Sequence, residues 1–157
     1  MLTTNVMRIL EKQGISYTSL EYPVDENDLS GVHAAQVMGI EAERVFKTLV
    51  AHGDKTPNCV FVIPVAEELD LKKCAQASGN KRVELIHVKE LLPLTGYVRG
   101  GCSPIGMKKR FPTFVDETVL MHSEIAVSAG QRGVQVCLKP EDLLKAADAK
   151  VHDLIRY

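Results

Sequence analysis

The sequence predicts an α/β domain, α+β in its details, built on a mixed, barrel-like β-sheet flanked by helices. Three observations predict it. Helix-like and strand-like stretches intermix along the chain instead of alternating in strict βα units. The strand-like stretches 45–52 and 59–65 are separated only by turn-rich GDKTPN, which reads as a hairpin. The 157 residues, 45% apolar and 25% charged, suit one domain with a sizeable core.

The elements follow in order. Thr4 or Thr3 caps a first helix, with Val6, Ile9 and Leu10 on one face and Gly14 closing it. Ile15–Tyr22 reads as a strand stopped by Pro23, and PVDENDLSG as a polar loop. Val32–Met38 is a short helix ended by Gly39. After the hairpin, Asp70 caps the helix LKKCAQASG, where Leu71, Cys74 and Ala75 recur at helical spacing. Val88–Leu92 is a further short helix, followed by the irregular GYVRGGCSPIGMKK. Thr113–Val115, Ile125–Ser128 and Val134–Leu138 read as strands, and Gly130 and Gly133 suit a hairpin between the last two. Pro140 and Glu141 open the helix EDLLKAAD, and the tail VHDLIRY reads as a final strand.

Composition excludes several classes of function. The net charge of −1 creates no global positive field, so a nucleic-acid partner would need a local basic patch. The absence of Trp argues against recognition by many stacked bases. The amphipathic N-terminus lacks the apolar core of a signal peptide, and the apolar run 59–66 is too short to span a bilayer. A cytoplasmic location without membrane attachment is therefore expected. Cys59, Cys74, Cys102 and Cys137 contain no C-x-x-C pair, which suits free thiols and excludes the usual zinc spacings. His33, His52, His87, His122 and His152 form no metal-binding pair, so no metal and no cofactor are expected. His52 and His87, at element ends, read as surface or capping residues.

Three segments carry the candidate chemistry. In VFKTLVAH, alternation puts Lys47 beside Val45 and Leu49 on one strand face. Such a lysine either meets an anion in a pocket or snorkels from an edge strand, and alternation alone favours snorkelling. In GYVRGGCSPIGMKKR, the Gly100–Gly101 pair allows close backbone approach to a ligand, with N–H groups suited to a phosphate or an oxyanion. The loop is not a phosphate-binding P-loop, because Met107 stands where its lysine belongs, and G-x-S-x-G is absent. Cys102 has no neighbouring base in sequence and reads as a small residue beside a pocket. The third segment, IAVSAGQRGVQV, reads by itself as a strand, turn and strand.

VFKTLV, GYVRGGCSPIGMKK and VSAGQRG, in that order, resemble the YbaK/EbsC family of aminoacyl-tRNA deacylases, relatives of the editing domain of bacterial prolyl-tRNA synthetases. The resemblance runs over nearly the whole chain and implies a single editing domain spanning residues 1–157. It implies removal of cysteine in trans from Cys-tRNA(Pro), and also from Cys-tRNA(Cys), without a metal or an enzyme nucleophile. The substrate thiol attacks its own ester, giving a cyclic thioester and free tRNA. Lys47 matches the essential lysine, expected to hold the phosphate and ribose of the terminal adenosine. Gly101, with Gly100, matches the glycine pair near the ester. Thr48, Ser103, Pro104 and Ser128 match pocket positions, and Tyr22 an aromatic at the mouth.

Two positions depart from the family pattern. Gln135 stands where cysteine-specific relatives carry Asp, and LSG around Ser30 where some carry Phe. Both bear on which amino acid is removed. An editing hydrolase for another small amino acid such as alanine, or a non-catalytic tRNA-binding module, are the alternatives. The acceptor end of aminoacyl-tRNA is the implied partner, and a complex with prolyl-tRNA synthetase is one route to tRNA selectivity. Lys72, Lys73, Lys81, Arg82, Lys108, Lys109 and Arg110 are candidate backbone contacts.

Overall fold

The computed structural model describes residues 2–157. Helix α1 spans Asn5–Lys12, and the Thr4 hydroxyl accepts from the Met7 N–H at its start. Such a cap is worth about 1 kcal/mol. Its buried face carries Val6, Met7 and Leu10. Strand β1, Thr18–Glu21, follows, then α2, Gly31–Met38, capped by Ser30 and ended by left-handed Gly39. Strands β2, Phe46–Gly53, and β3, Cys59–Pro64, form the expected antiparallel hairpin. Helix α3, Leu71–Ser78, is capped by Asp70, whose carboxylate accepts from Lys72 and Lys73. Leu71 stays exposed, while Cys74 and Ala75 are buried.

Strand β4, Val83–Leu85, leads into helix α4, Val88–Thr95. Strands β5, Thr113–Asp116, β6, Ile125–Ser128, and β7, Val134–Leu138, come next. Helix α5, Pro140–Ala146, and strand β8, Ala149–His152, complete the chain. Two elements differ from expectation. β4 is too short to display a period. The last strand begins at Ala149, and of the tail only Val151 and His152 lie in it. Beyond it, Leu154 and Ile155 are buried in the core around Phe61 and Phe114.

The mixed α/β architecture is as expected, but the sheet is not a closed barrel. It is divided into a three-stranded antiparallel sheet, order β1-β7-β6, and a five-stranded mixed sheet, order β4-β2-β3-β5-β8. Among the described residues, the ladder hydrogen bonding between the two sheets is limited to an isolated parallel bridge between Val45 and Ala126. Closure would need a continuous ladder along that seam. Beyond Val45, β2 turns to pair with β3 and β4 instead.

The main core fills the space between the sheets, with Phe46, Val50, Val60 and Val62 facing Val127, Val134 and Val136. Burying one such side chain contributes about 1.5–3 kcal/mol. One gap remains. β4 pairs with β2 only at Ala51–Gly53, so the β2 edge from Phe46 to Val50 carries no β4 ladder. That edge borders a cavity.

Candidate active site

The cavity has a volume of about 430 Å3 and takes walls from both sheets. Phe46, Lys47, Thr48, Leu49 and Val50 come from β2, Ser128 from β6 and Gln135 from β7. The segment Leu85–Val88 and Leu91 of α4 form another side, and Tyr22 and Leu29–Gly31 form the rim. Arg99, Gly100 and Cys102 close it. The size suits a small-molecule site.

Lys47 is half-buried at this wall, with no carboxylate oxygen within ion-pairing distance among the described residues. Desolvation pushes its ammonium below the ordinary lysine range, and Glu68 and Glu67 oppose that at longer range. A cation half out of water without a partner is set to receive an anion. Its place in a cavity wall favours the pocket reading over the snorkelling that alternation alone favours.

Two buried polar side-chain atoms lack a hydrogen-bond partner among the described residues, Thr48 Oγ1 and Gln135 Oε1. Both residues line the cavity. Buried polar atoms are usually paired, so two orphans in one cavity wall mark a place where a ligand supplies the partner. Ser128 lies opposite Gln135 in the β6–β7 ladder. Its hydroxyl accepts from the Gly130 N–H at 3.1 Å, which shapes the following turn.

The two glycine-rich segments interlock. Val98–Gly101 is a turn in which the Gly101 N–H donates to the Val98 carbonyl at 2.9 Å. Gly100, at φ 86°, occupies the position where such a turn requires a left-handed residue. Arg132 Nε reaches across from the β6–β7 turn to the Arg99 carbonyl at 2.8 Å. A Cβ on Gly101 would lie 2.9 Å from Gln131 Cα. Gly101 is therefore a glycine because two backbones cross there.

The structure thus brings Tyr22, Lys47, Thr48, Gly100, Ser128 and Gln135 to one cavity, but not Gly101, Ser103 or Pro104. Gly101 sits between two lining residues, Gly100 and Cys102, with its own N–H donated within the turn. Ser103 is fully buried, and its hydroxyl accepts from the Ile105 N–H. Pro104 lines a separate groove beside Lys109 and Phe111.

Cys102 touches the cavity, but burial pushes its thiol up to about 12, so it stays protonated at neutral pH. The sequence reading did not place His87 or Arg99 at the site. Arg99 adjoins the glycine pair and could have been included on that ground. His87 gave no signal beyond its helix-capping position. Among the described residues, no group of three or more His, Cys, Asp or Glu side chains is placed to hold a metal. No helix there is long and apolar enough to cross a membrane.

Residues 29–146 match the family profile described as the aminoacyl-tRNA editing domain. The chain belongs to that family. This editing domain is 50% identical, over 96% of its length and 92% of the other chain, to an Enterococcus faecalis protein provisionally named a Cys-tRNA(Pro)/Cys-tRNA(Cys) deacylase, EbsC. It is 27% identical to a Shouchella clausii proline–tRNA ligase over 64% of this chain and 17% of the ligase. A crystal structure described as a provisional trans-editing enzyme for prolyl-tRNA synthetase superposes with a TM-score of 0.85 at 27% identity, covering 100% of both chains. The interlocked turns and Lys47 all lie within the part of the editing domain matched by the profile.

Proposed function

We propose that residues 1–157 act as one trans-editing domain that removes cysteine from Cys-tRNA(Pro), and from Cys-tRNA(Cys), by substrate-assisted cyclisation. The observation that carries this reading is the unpaired Lys47 side chain of the cavity wall, on the same strand as the orphaned Thr48 hydroxyl. The EbsC likeness supports the substrate, and the partial match to a proline–tRNA ligase supports the link to proline charging.

Lys47 holds the phosphate or ribose oxygens of the terminal adenosine, placing the aminoacyl ester against Gly100, Ser128 and Gln135. The cysteine sulfur attacks the ester carbonyl, forming a C–S bond. The C–O bond to ribose then breaks, and the thiol proton ends on the departing ribose oxygen. The products are a cyclic thioester and free tRNA. The protein contributes position and charge stabilisation, and no enzyme nucleophile is required. The protonated Cys102 thiol is consistent with that. Cysteine and proline are close in size, so a synthetase pocket separates them poorly by volume, and a second site that uses the thiol supplies the difference.

The test is release of labelled amino acid from Cys-tRNA(Pro), Cys-tRNA(Cys) and Ala-tRNA(Pro), with Lys47→Ala as control. Lys47-dependent loss of cysteine alone is expected. Loss of alanine would reassign the domain to hydrolytic editing. Loss of neither would leave a binding module of the same fold.

A further inference from the structure

A second cleft, of about 400 Å3, lies on the other side of the β4 edge. Lys72, Lys81 and Arg82 line it, together with His52 and Glu84. All three cations are exposed, and none forms a salt bridge among the described residues. Lys73, by contrast, is committed to the C-terminal tail, 3.0 Å from Asp153 and 2.8 Å from the Ile155 carbonyl.

The cleft is built from two loops stitched reciprocally. Asp54, in the β2–β3 turn, accepts from the Lys81 and Arg82 N–H groups at 2.8 and 3.0 Å. Asn80, beside those cations, accepts from the Lys55 and Thr56 N–H groups at 2.8 and 2.9 Å. Asn80 packs where Gly53 has no side chain, since a Cβ there would lie 2.3 Å from its Nδ2. The Asp54 carboxylate is thus occupied with backbone N–H groups, and the side chains of Lys81 and Arg82 are left to solvent on a fixed backbone. Asp54 and Glu84 are the opposing charges in the cleft, two against the three cations.

Residues 81–84 line this cleft and residues 85–88 line the editing cavity, so one short strand joins the two sites. From Arg82 to Ile86 an extended chain covers about 13 Å. A stacked nucleic-acid strand advances about 3.4 Å per nucleotide. The separation therefore matches a few nucleotides, the scale of the single-stranded end that carries the amino acid.

We propose that this cleft docks the phosphates of the tRNA acceptor arm while the aminoacyl end occupies the cavity. The inference rests on the deacylase reading but is tested apart from it. The first readout is binding of uncharged tRNA against salt concentration, for wild type, Lys81→Ala/Arg82→Ala and Lys108→Ala/Lys109→Ala. Both alanine pairs keep the backbone bonds, so folding is not at stake. The Lys81/Arg82 pair should bind about tenfold more weakly, with a salt slope lower by about two, while the Lys108/Lys109 pair matches wild type. The second readout is deacylation. The Lys81/Arg82 pair should raise KM for charged tRNA and cleave an aminoacylated trinucleotide as wild type does. A wild-type Kd and salt slope in that pair would overturn the docking site. A wild type inactive on every charged tRNA would overturn the deacylase reading, and the binding measurement would still decide the cleft.

Discussion

The Thr48 hydroxyl and the Gln135 amide oxygen, from two different sheets, are both buried without a partner in the wall of one cavity. An orphaned buried polar group costs about 1–3 kcal/mol, a cost that a purely structural role would not sustain. Thr48→Val keeps the shape and removes the orphan. It should raise stability by about 1 kcal/mol, a gain of about 2–4 °C in Tm, while deacylation falls by about tenfold or more. Thermal unfolding and single-turnover release measure both, and a destabilised variant would count against the assignment.

Lys47 gives a pH-dependent version of the same trade. Its folded-state pKa lies below the unfolded one because burial disfavours the ammonium. Between those two values the unfolded chain binds more protons, so folding stability rises with pH through that window. Below both values the buried charge is a full burden. Lys47→Met should therefore be more stable than wild type below that window, and its advantage should shrink as pH rises through it. Urea unfolding at several pH values reads this directly. Lys47→Ala and Lys47→Met should both be inactive yet folded.

Cys102 borders the cavity with its thiol held near 12 by burial. Cys102→Ala should keep activity within about twofold, because a protonated thiol is neither nucleophile nor base. Alkylation by iodoacetamide at neutral pH should be slow. A folded but inactive Cys102→Ala would show that the enzyme supplies its own nucleophile.

Gly100 and Gly101 should fail for different reasons. Gly101→Ala drives a methyl to 2.9 Å from Gln131 Cα, backbone against backbone. Overpacking of that kind costs about 1–3 kcal/mol, so the variant should show a lower denaturant midpoint. Gly100→Ala meets only side chains, Arg132 at 3.4 Å and Leu29 at 3.6 Å, but must adopt φ 86°. It should lose less stability and more activity, because Gly100 is the member of the pair at the cavity wall.

Most of the fold was legible because its signals are local. Thr4 and Asp70 cap helices, Gly39 ends one, and GDKTPN turns a hairpin. The division into two sheets was not legible, since it depends on the pairing Val45–Ala126, eighty-one positions apart, ending after one bridge. Lys47 was visible as an oddity, but only the enclosing walls distinguish a pocket cation from an edge lysine. The glycine pair was read as a close approach to a ligand. What it approaches is Gln131 and Arg132, a neighbour that the sequence does not announce. His87 entered the site through the position of β4, the strand too short to be read.

The seam at Val45 and Ala126 also bears on how such a domain can change over generations. One wall of the cavity hangs on the hairpin that carries Lys47, the other on the hairpin that carries Ser128 and Gln135, and almost no ladder couples them. Substitutions without shared partners add independently. A lineage can therefore revise the turns and outer faces of one hairpin independently of the other, while core positions where the two walls pack, such as Val50 and Val136, stay coupled.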